Sequence, residues 1–182
     1  RPLVPSASDE DLVRGSMARV YKAWHLGLAR SCALKIIDPR LVARTPKARD
    51  QFWAEARAAA NLVHPHVVTI HNVGSDAGYH FIEMEYVPGS TLRPFCRADH
   101  LLPLELVVEI GFKCAMALGY VYRQGLIHRD VKPANLLAVI NNGSVTDVKI
   151  SDFGSVLNLA ADTTQIYRVG SLPSMSPDQP DG

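Results

Sequence analysis

The stretch Ile127-His128-Arg129-Asp130-Val131-Lys132-Pro133-Ala134-Asn135, followed further on by Asp152-Phe153-Gly154, decides how this chain is read. An acid, an ammonium group and an amide fall at 130, 132 and 135, and a second acid opens the turn-like Asp-Phe-Gly. Each piece alone is weak, since an isolated Asp-Phe-Gly most often marks only a turn. Working outward, Leu136 to Ile140 and Val148 to Ile150 read as strands of a hairpin closed around Asn141-Asn142-Gly143-Ser144. Upstream, Leu104 to Tyr122 is the longest periodic segment. Its apolar or small residues at 104, 107, 108, 111, 114, 115, 118, 121 and 122 predict a helix with that stripe inward, ended by Gly125.

Further toward the N-terminus, Val67 to Val73 and Tyr79 to Val87 read as a hairpin, and Pro88-Gly89 closes the β-rich region. The Ala-rich segment from Lys47 to Leu62 predicts a helix, with Thr45-Pro46 as N-cap and first helical position. Its stripe contains Phe52, Glu55, Ala56, Ala59 and Val63, so one acid sits on an apolar face and calls for a cation there. Asp38-Pro39 reads as a break, and Met17 to Trp24 and Cys32 to Ile37 as short strands. Residues 1 to 12 are a polar lead-in without regular structure, and the chain turns polar again beyond Phe153. Strands with one helix, then a helix with hairpins, predict an α+β protein in two lobes.

Composition narrows the function classes. The chain has 182 residues, 47% of them hydrophobic and 20% charged, with 19 Lys and Arg against 18 Asp and Glu. That balance excludes a disordered tail, a collagen-like repeat and a coiled coil. A formal net charge of +1 gives no global attraction to nucleic acid or to an anionic membrane. There is no membrane segment in this reading. Cys32, Cys96 and Cys114 are sparse and odd in number, which suits reduced thiols and a cytoplasmic setting. His64, His66 and His71 lack a Cys or acid at ligand spacing, so a structural role is favoured over a metal site.

Taken in order, these motifs resemble those of the protein kinases over roughly residues 10 to 180. Ile127–Asn135 and Asp152-Phe153-Gly154 resemble the catalytic and magnesium loops of that family. Ala33-Leu34-Lys35 resembles its strand lysine, Glu55 stands where its helix glutamate belongs, and Gly170 to Asp178 looks like its substrate-docking segment. Glu55-Ala56-Arg57-Ala58-Ala59 and Met84-Glu85-Tyr86-Val87 are similar to bacterial members of the eukaryotic-like serine/threonine kinases.

The resemblance implies a lead-in over 1–9, an N-lobe of sheet plus one helix over 10–87, and an incomplete C-lobe over 88–182. It implies MgATP as phosphoryl donor and Ser/Thr hydroxyls of proteins as acceptors. Asp130 would take the proton of the attacking hydroxyl, and Lys132 would reach the transferring phosphoryl group. Lys35, anchored by Glu55, would meet the α- and β-phosphates, while Asn135 and Asp152 would hold magnesium through oxygen. Val20, Ala33 and Leu137 would wall the adenine, with the Glu85–Val87 backbone hydrogen-bonding it and Met84 guarding the inner pocket. Thr163 and Thr164 stand where an activation loop is phosphorylated, and Arg129 where an arginine would meet that phosphate.

Departures from the family pattern carry their own expectations. Of three glycines over the phosphates, expected at 13, 15 and 18, only Gly15 is present; Val13 and Ala18 replace the others and should weaken nucleotide binding. Asp178 replaces the usual glutamate, and the helices that follow it in the family lie beyond Gly182. The 182-residue chain alone is therefore expected to be a weak or inactive kinase with poorly covered apolar faces. Two other readings remain: a pseudokinase serving as a binding or scaffold module, and a small-molecule phosphotransferase of kinase architecture.

Overall fold

The computed structural model describes residues 11–14 and 18–159. The chain divides into two compact units, with boundaries after Ala60, Val68 and Tyr86, so that residues 61–68 belong with the second.

The first unit is an antiparallel five-stranded sheet in the order β1-β2-β3-β5-β4. Its strands are β1 (Asp11–Arg14), β2 (Ala18–His25), β3 (Arg30–Ile37), β4 (Ile70–Asp76) and β5 (Tyr79–Glu85). Two helices intervene between β3 and β4, α1 (Pro39–Arg44) and α2 (Pro46–Ala59). β1 reaches into the segment expected to be irregular, and pairs with β2 across a register shift between Asp11 and Val13. Asp38-Pro39, read as a break, starts α1: the Asp38 carboxylate accepts from the Arg40 N–H at 2.8 Å and Pro39 occupies the first turn. The same dipeptide serves a turn and a helix start, and only the following residues decide between them. Thr45 ends α1, its N–H donating to the Leu41 carbonyl, and takes the N-cap position of α2 without a side-chain capping bond.

Because side chains alternate along a strand, the sheet has two distinct faces. Under α2, Ala18, Ile37 and Ile82 pack with Ala48, Phe52 and Ala56. The opposite face carries a second cluster of Ala23, Cys32, Leu34 and Phe81. Phe52, Ala56 and Ala59 of the expected α2 stripe are buried, whereas Val63 lies past the helix end and is exposed.

The second unit contains β6 (Ser90–Thr91), α3 (Leu104–Arg123), β7 (Leu126–Ile127), β8 (Leu136–Asn141), β9 (Ser144–Ile150) and β10 (Leu157–Asn158). β6, β8 and β9 form one sheet, and β7 pairs with β10. The β8–β9 hairpin closes through Asn142 and Gly143, both at positive φ, the backbone that suits the right-handed twist of the strands. Gly89 is required by close approach, since a Cβ there would collide with the Ala138 carbonyl. Val67, expected to open β4, instead makes a parallel bridge to Ile150, and β4 begins at Ile70.

α3 buries a different face from the one its periodicity suggested. Leu106, Ile110, Cys114, Ala117 and Val121 are buried, while Leu104, Val107, Val108, Phe112, Met116 and Tyr122 are exposed. The helix is apolar on two sides, so spacing alone does not choose the inward one.

Candidate active site

In the first unit, Lys35 stands in β3 beside Ala33 and opposite Val20 of β2. These three share the face that packs under α2. The Lys35 Nζ donates to Glu55 Oε1 at 2.6 Å, and the side chains are only 15% and 11% exposed. This pair supplies the cation that an acid on the apolar stripe of α2 requires. A strand lysine clamped in this way cannot sweep through solvent; its ammonium is held at one place on the sheet. At the end of β5, the Glu85 N–H donates to the Thr69 carbonyl at 2.9 Å, and the Glu85 carboxylate accepts from the Thr69 N–H. Lys22 Nζ sits 4.8 Å from the centre of the Tyr86 ring. Met84 packs against the core beneath α2.

In the second unit the sequence-predicted residues converge within one loop. Asp130 is buried, and its Oδ2 accepts from Lys132 Nζ at 2.7 Å and from Asn135 Nδ2 at 3.0 Å. Asn135 Nδ2 also donates to the Asp130 carbonyl at 2.9 Å. A short 3-10 turn, Pro133–Asn135, brings the amide back over the acid, and Pro133 suits its first position. With its nitrogen committed to Asp130, Asn135 keeps its oxygen as the atom a hard cation would take. The Asn135 carbonyl accepts from both the N–H and the hydroxyl of Ser151 at 2.9 and 3.1 Å, tying the loop to the residue before Asp152. Asp152 itself is exposed and held at φ 65°, and Arg129 at φ 60°, conformations that cost a non-glycine residue roughly 1–3 kcal/mol.

His128 explains how this loop keeps its shape. Its Nδ1 accepts from the Asp130 N–H at 3.2 Å, so Nε2 carries the proton and donates to the Ser151 carbonyl at 3.1 Å. Its ring lies edge-on to buried Phe153, centroids 4.8 Å apart. Burial pushes its pKa below the ordinary histidine value, against opposing pulls from the Ser151 carbonyl, Asp152 and Asp130. Packing and backbone hydrogen bonding are the role the ring plays. Arg129 Nε donates to the Ser155 carbonyl at 2.7 Å.

Leu137 lies in β8 half-buried, and Val87 is buried. Gly15, Thr163 and Thr164 lie outside the described residues, as does the docking-like segment 170–178. Of the histidines once open to a metal reading, His64 stacks on Tyr120 and the His66 Nδ1 meets the Val148 carbonyl, both in the second unit. His71 belongs to β4 of the first. Sequence reasoning missed Ser151, whose backbone joins His128 to Asn135, and the buried acid Glu83 of β5.

This arrangement of a clamped lysine, a buried acid with lysine and amide partners, and a strained Asp-Phe-Gly belongs to the protein kinase fold. The protein kinase domain family matches residues 7–179, and the chain is a member of that family. Among its relatives, a probable serine/threonine-protein kinase of Streptomyces coelicolor is 36% identical over 94% of this chain and 26% of its own length. The serine/threonine-protein kinase PknB of Mycobacterium leprae is also 36% identical, over 92% of this chain and 27% of its own. The chain thus spans about a quarter of the length of these curated relatives. The crystal structure of the Mycobacterium tuberculosis PknI kinase domain superposes with a TM-score of 0.63 at 33% identity, covering 83% of this chain and 61% of that one.

Among the described residues, no group of three or more His, Cys, Asp or Glu is arranged to hold a metal by itself. The oxygen donors Asn135 and Asp152 fit magnesium, which takes one or two protein ligands and completes its shell with phosphate and water. No helix among the described residues is long and apolar enough to cross a membrane.

Proposed function

We propose that this chain belongs to a kinase that carries out ATP-dependent phosphorylation of Ser or Thr hydroxyls on proteins. The observation that supports it most is the Asp130 carboxylate, buried and held between Lys132 Nζ and Asn135 Nδ2. Asp130 accepts the proton of the attacking hydroxyl as the hydroxyl oxygen bonds to the γ-phosphorus and the bond from that phosphorus to the ADP oxygen breaks. Lys132 then has charge to offer the transferring group, and lysine at this place resembles the Ser/Thr branch of the family. Lys35 neutralises the α- and β-phosphates from the position Glu55 gives it. Asn135 and Asp152 would hold magnesium, which when bound would draw charge from the phosphate oxygens. The adenine takes the Glu85–Val87 backbone, with Val20, Ala33 and Leu137 as apolar walls. Cys32 and Cys114 are buried thiols and Cys96 an exposed one, in keeping with a reducing cytoplasm.

The test is transfer of labelled γ-phosphate from ATP to a protein substrate in magnesium, with the Asp130→Asn variant alongside. Label on Ser or Thr from the parent chain and none from the variant is the expected result. Nucleotide binding without any transfer would instead make the chain a pseudokinase, and label on a small alcohol with none on protein would move it to the small-molecule phosphotransferases.

A further inference from the structure

Glu83 is a charged group that the chemistry above leaves unused. It lies in the middle of β5 with its side chain 2% exposed, opposite Leu34 of β3 and on the face that carries Ala23, Cys32 and Phe81. A carboxylate among such neighbours is unfavourable unless a cation meets it. Arg30 does so, donating from Nη2 to Oε1 at 2.9 Å, and His25 Nε2 stands 3.9 Å from Oε2. Arg30 and His25 are themselves cross-strand partners in β3 and β2, so three strands meet at this one carboxylate.

An apolar residue would fill the slot at lower cost, and what the ion pair adds is register. Sliding β5 by one residue would turn Glu83 toward the apolar core beneath α2, where Ile82 and Met84 now pack. Sliding it by two would bring Glu85 toward Arg30 and break the paired bonds between Glu85 and Thr69. β5 is thus held from the β3 side by Arg30 and from the other side by Thr69, in the last residues before the chain passes through Glu85, Tyr86 and Val87.

We propose that Arg30 and Glu83 form a positioning pair for nucleotide binding, fixing the register of β5 and thereby the Glu85–Val87 backbone that takes the adenine. The inference rests on the nucleotide reading above. It is tested by replacing the pair with apolar residues of similar volume, Arg30→Met with Glu83→Leu. MgADP affinity, affinity for magnesium tripolyphosphate, thermal midpoint and amide exchange at 85–87 are then measured on the full chain. The double variant should keep or raise its thermal midpoint, bind MgADP about tenfold more weakly, and exchange the amides of 85–87 faster, with tripolyphosphate binding unchanged. Glu83→Gln, which keeps the acceptor for Arg30 and serves if the double variant does not fold, should stay within about twofold of the parent. Unchanged MgADP affinity and exchange in a folded double variant, or a tenfold loss in Glu83→Gln with unchanged exchange, overturns the pair's role. A parent chain that binds tripolyphosphate but no MgADP overturns the adenine assignment itself, whatever exchange shows at 85–87.

Discussion

The two units gather their charges in opposite ways. In the five-stranded unit the partners are distant along the chain: Lys35 and Glu55 are 20 residues apart, Arg30 and Glu83 are 53 apart. In the second unit, Lys132 and Asn135 reach Asp130 from two and five residues away. The distant pairs exist only when sheet register and helix placement are right, so they report on the whole unit. The loop constellation depends instead on a short 3-10 turn, two positive-φ residues and the His128 bridge. Losing a partner in the first unit should therefore strike stability, and losing one in the loop should strike chemistry.

The largest effect expected follows from the local cluster. Asp130→Asn keeps an oxygen to accept from Lys132 and Asn135 but removes the proposed base, so phosphoryl transfer should fall by about 10³-fold. The thermal midpoint should barely move. A variant that loses its fold, or that retains a tenth of the parent rate, would erase the contrast between the two units.

Next come the distant pairs, which should differ from each other. Glu83 is 2% exposed and Arg30 32%, so Arg30 can turn to solvent when left alone and Glu83 cannot. Arg30→Met should therefore cost about 3–5 kcal/mol in urea unfolding, and Glu83→Leu about 1 kcal/mol or less. Lys35 and Glu55 are buried to nearly the same degree. Lys35→Met and Glu55→Leu should then cost similar amounts, within about 1 kcal/mol of each other. Equal costs at Arg30 and Glu83 would mean that burial does not set the asymmetry.

The same contrast governs what the sequence could disclose. The loop was legible because its residues are neighbours in the chain, and Asp130, Lys132 and Asn135 could be grouped before any fold was known. Glu55 was legible by half: an acid on an apolar helix face demanded a cation, but the choice of Lys35 as that cation came from the family resemblance. Glu83 was not legible, because an acid in a strand is ordinarily solvated and its partner lies in another strand. The inward face of α3 failed for a related reason, since a helix apolar on two sides offers two equal answers until β9 selects one. Asp38-Pro39 failed because one dipeptide signals both a turn and a helix start.

The smallest effect expected is a pH dependence centred on His128. Burial lowers its pKa in the fold, whereas in the unfolded chain it returns to about 6.5. Above that value both states hold the ring neutral, and the fold enjoys its full contribution from the buried imidazole. As pH falls below 6.5, the unfolded chain takes up the proton first, so stability declines until the folded ring is protonated too. His64 and His71 are also lowered by desolvation and act with the same sign, so the measurement is the difference between the parent and His128→Asn, whose slope between pH 6.5 and 5 should be flatter. Protonation has a second consequence that the distant pairs do not share. It turns Nδ1 from an acceptor into a donor facing the Asp130 N–H, and so works directly against the backbone that aims the Asp130 carboxylate. Nucleotide affinity read through Lys35 should then survive mild acid better than the rate of transfer. Equal loss of both across that window would place the acid-sensitive group in the first unit instead of the loop.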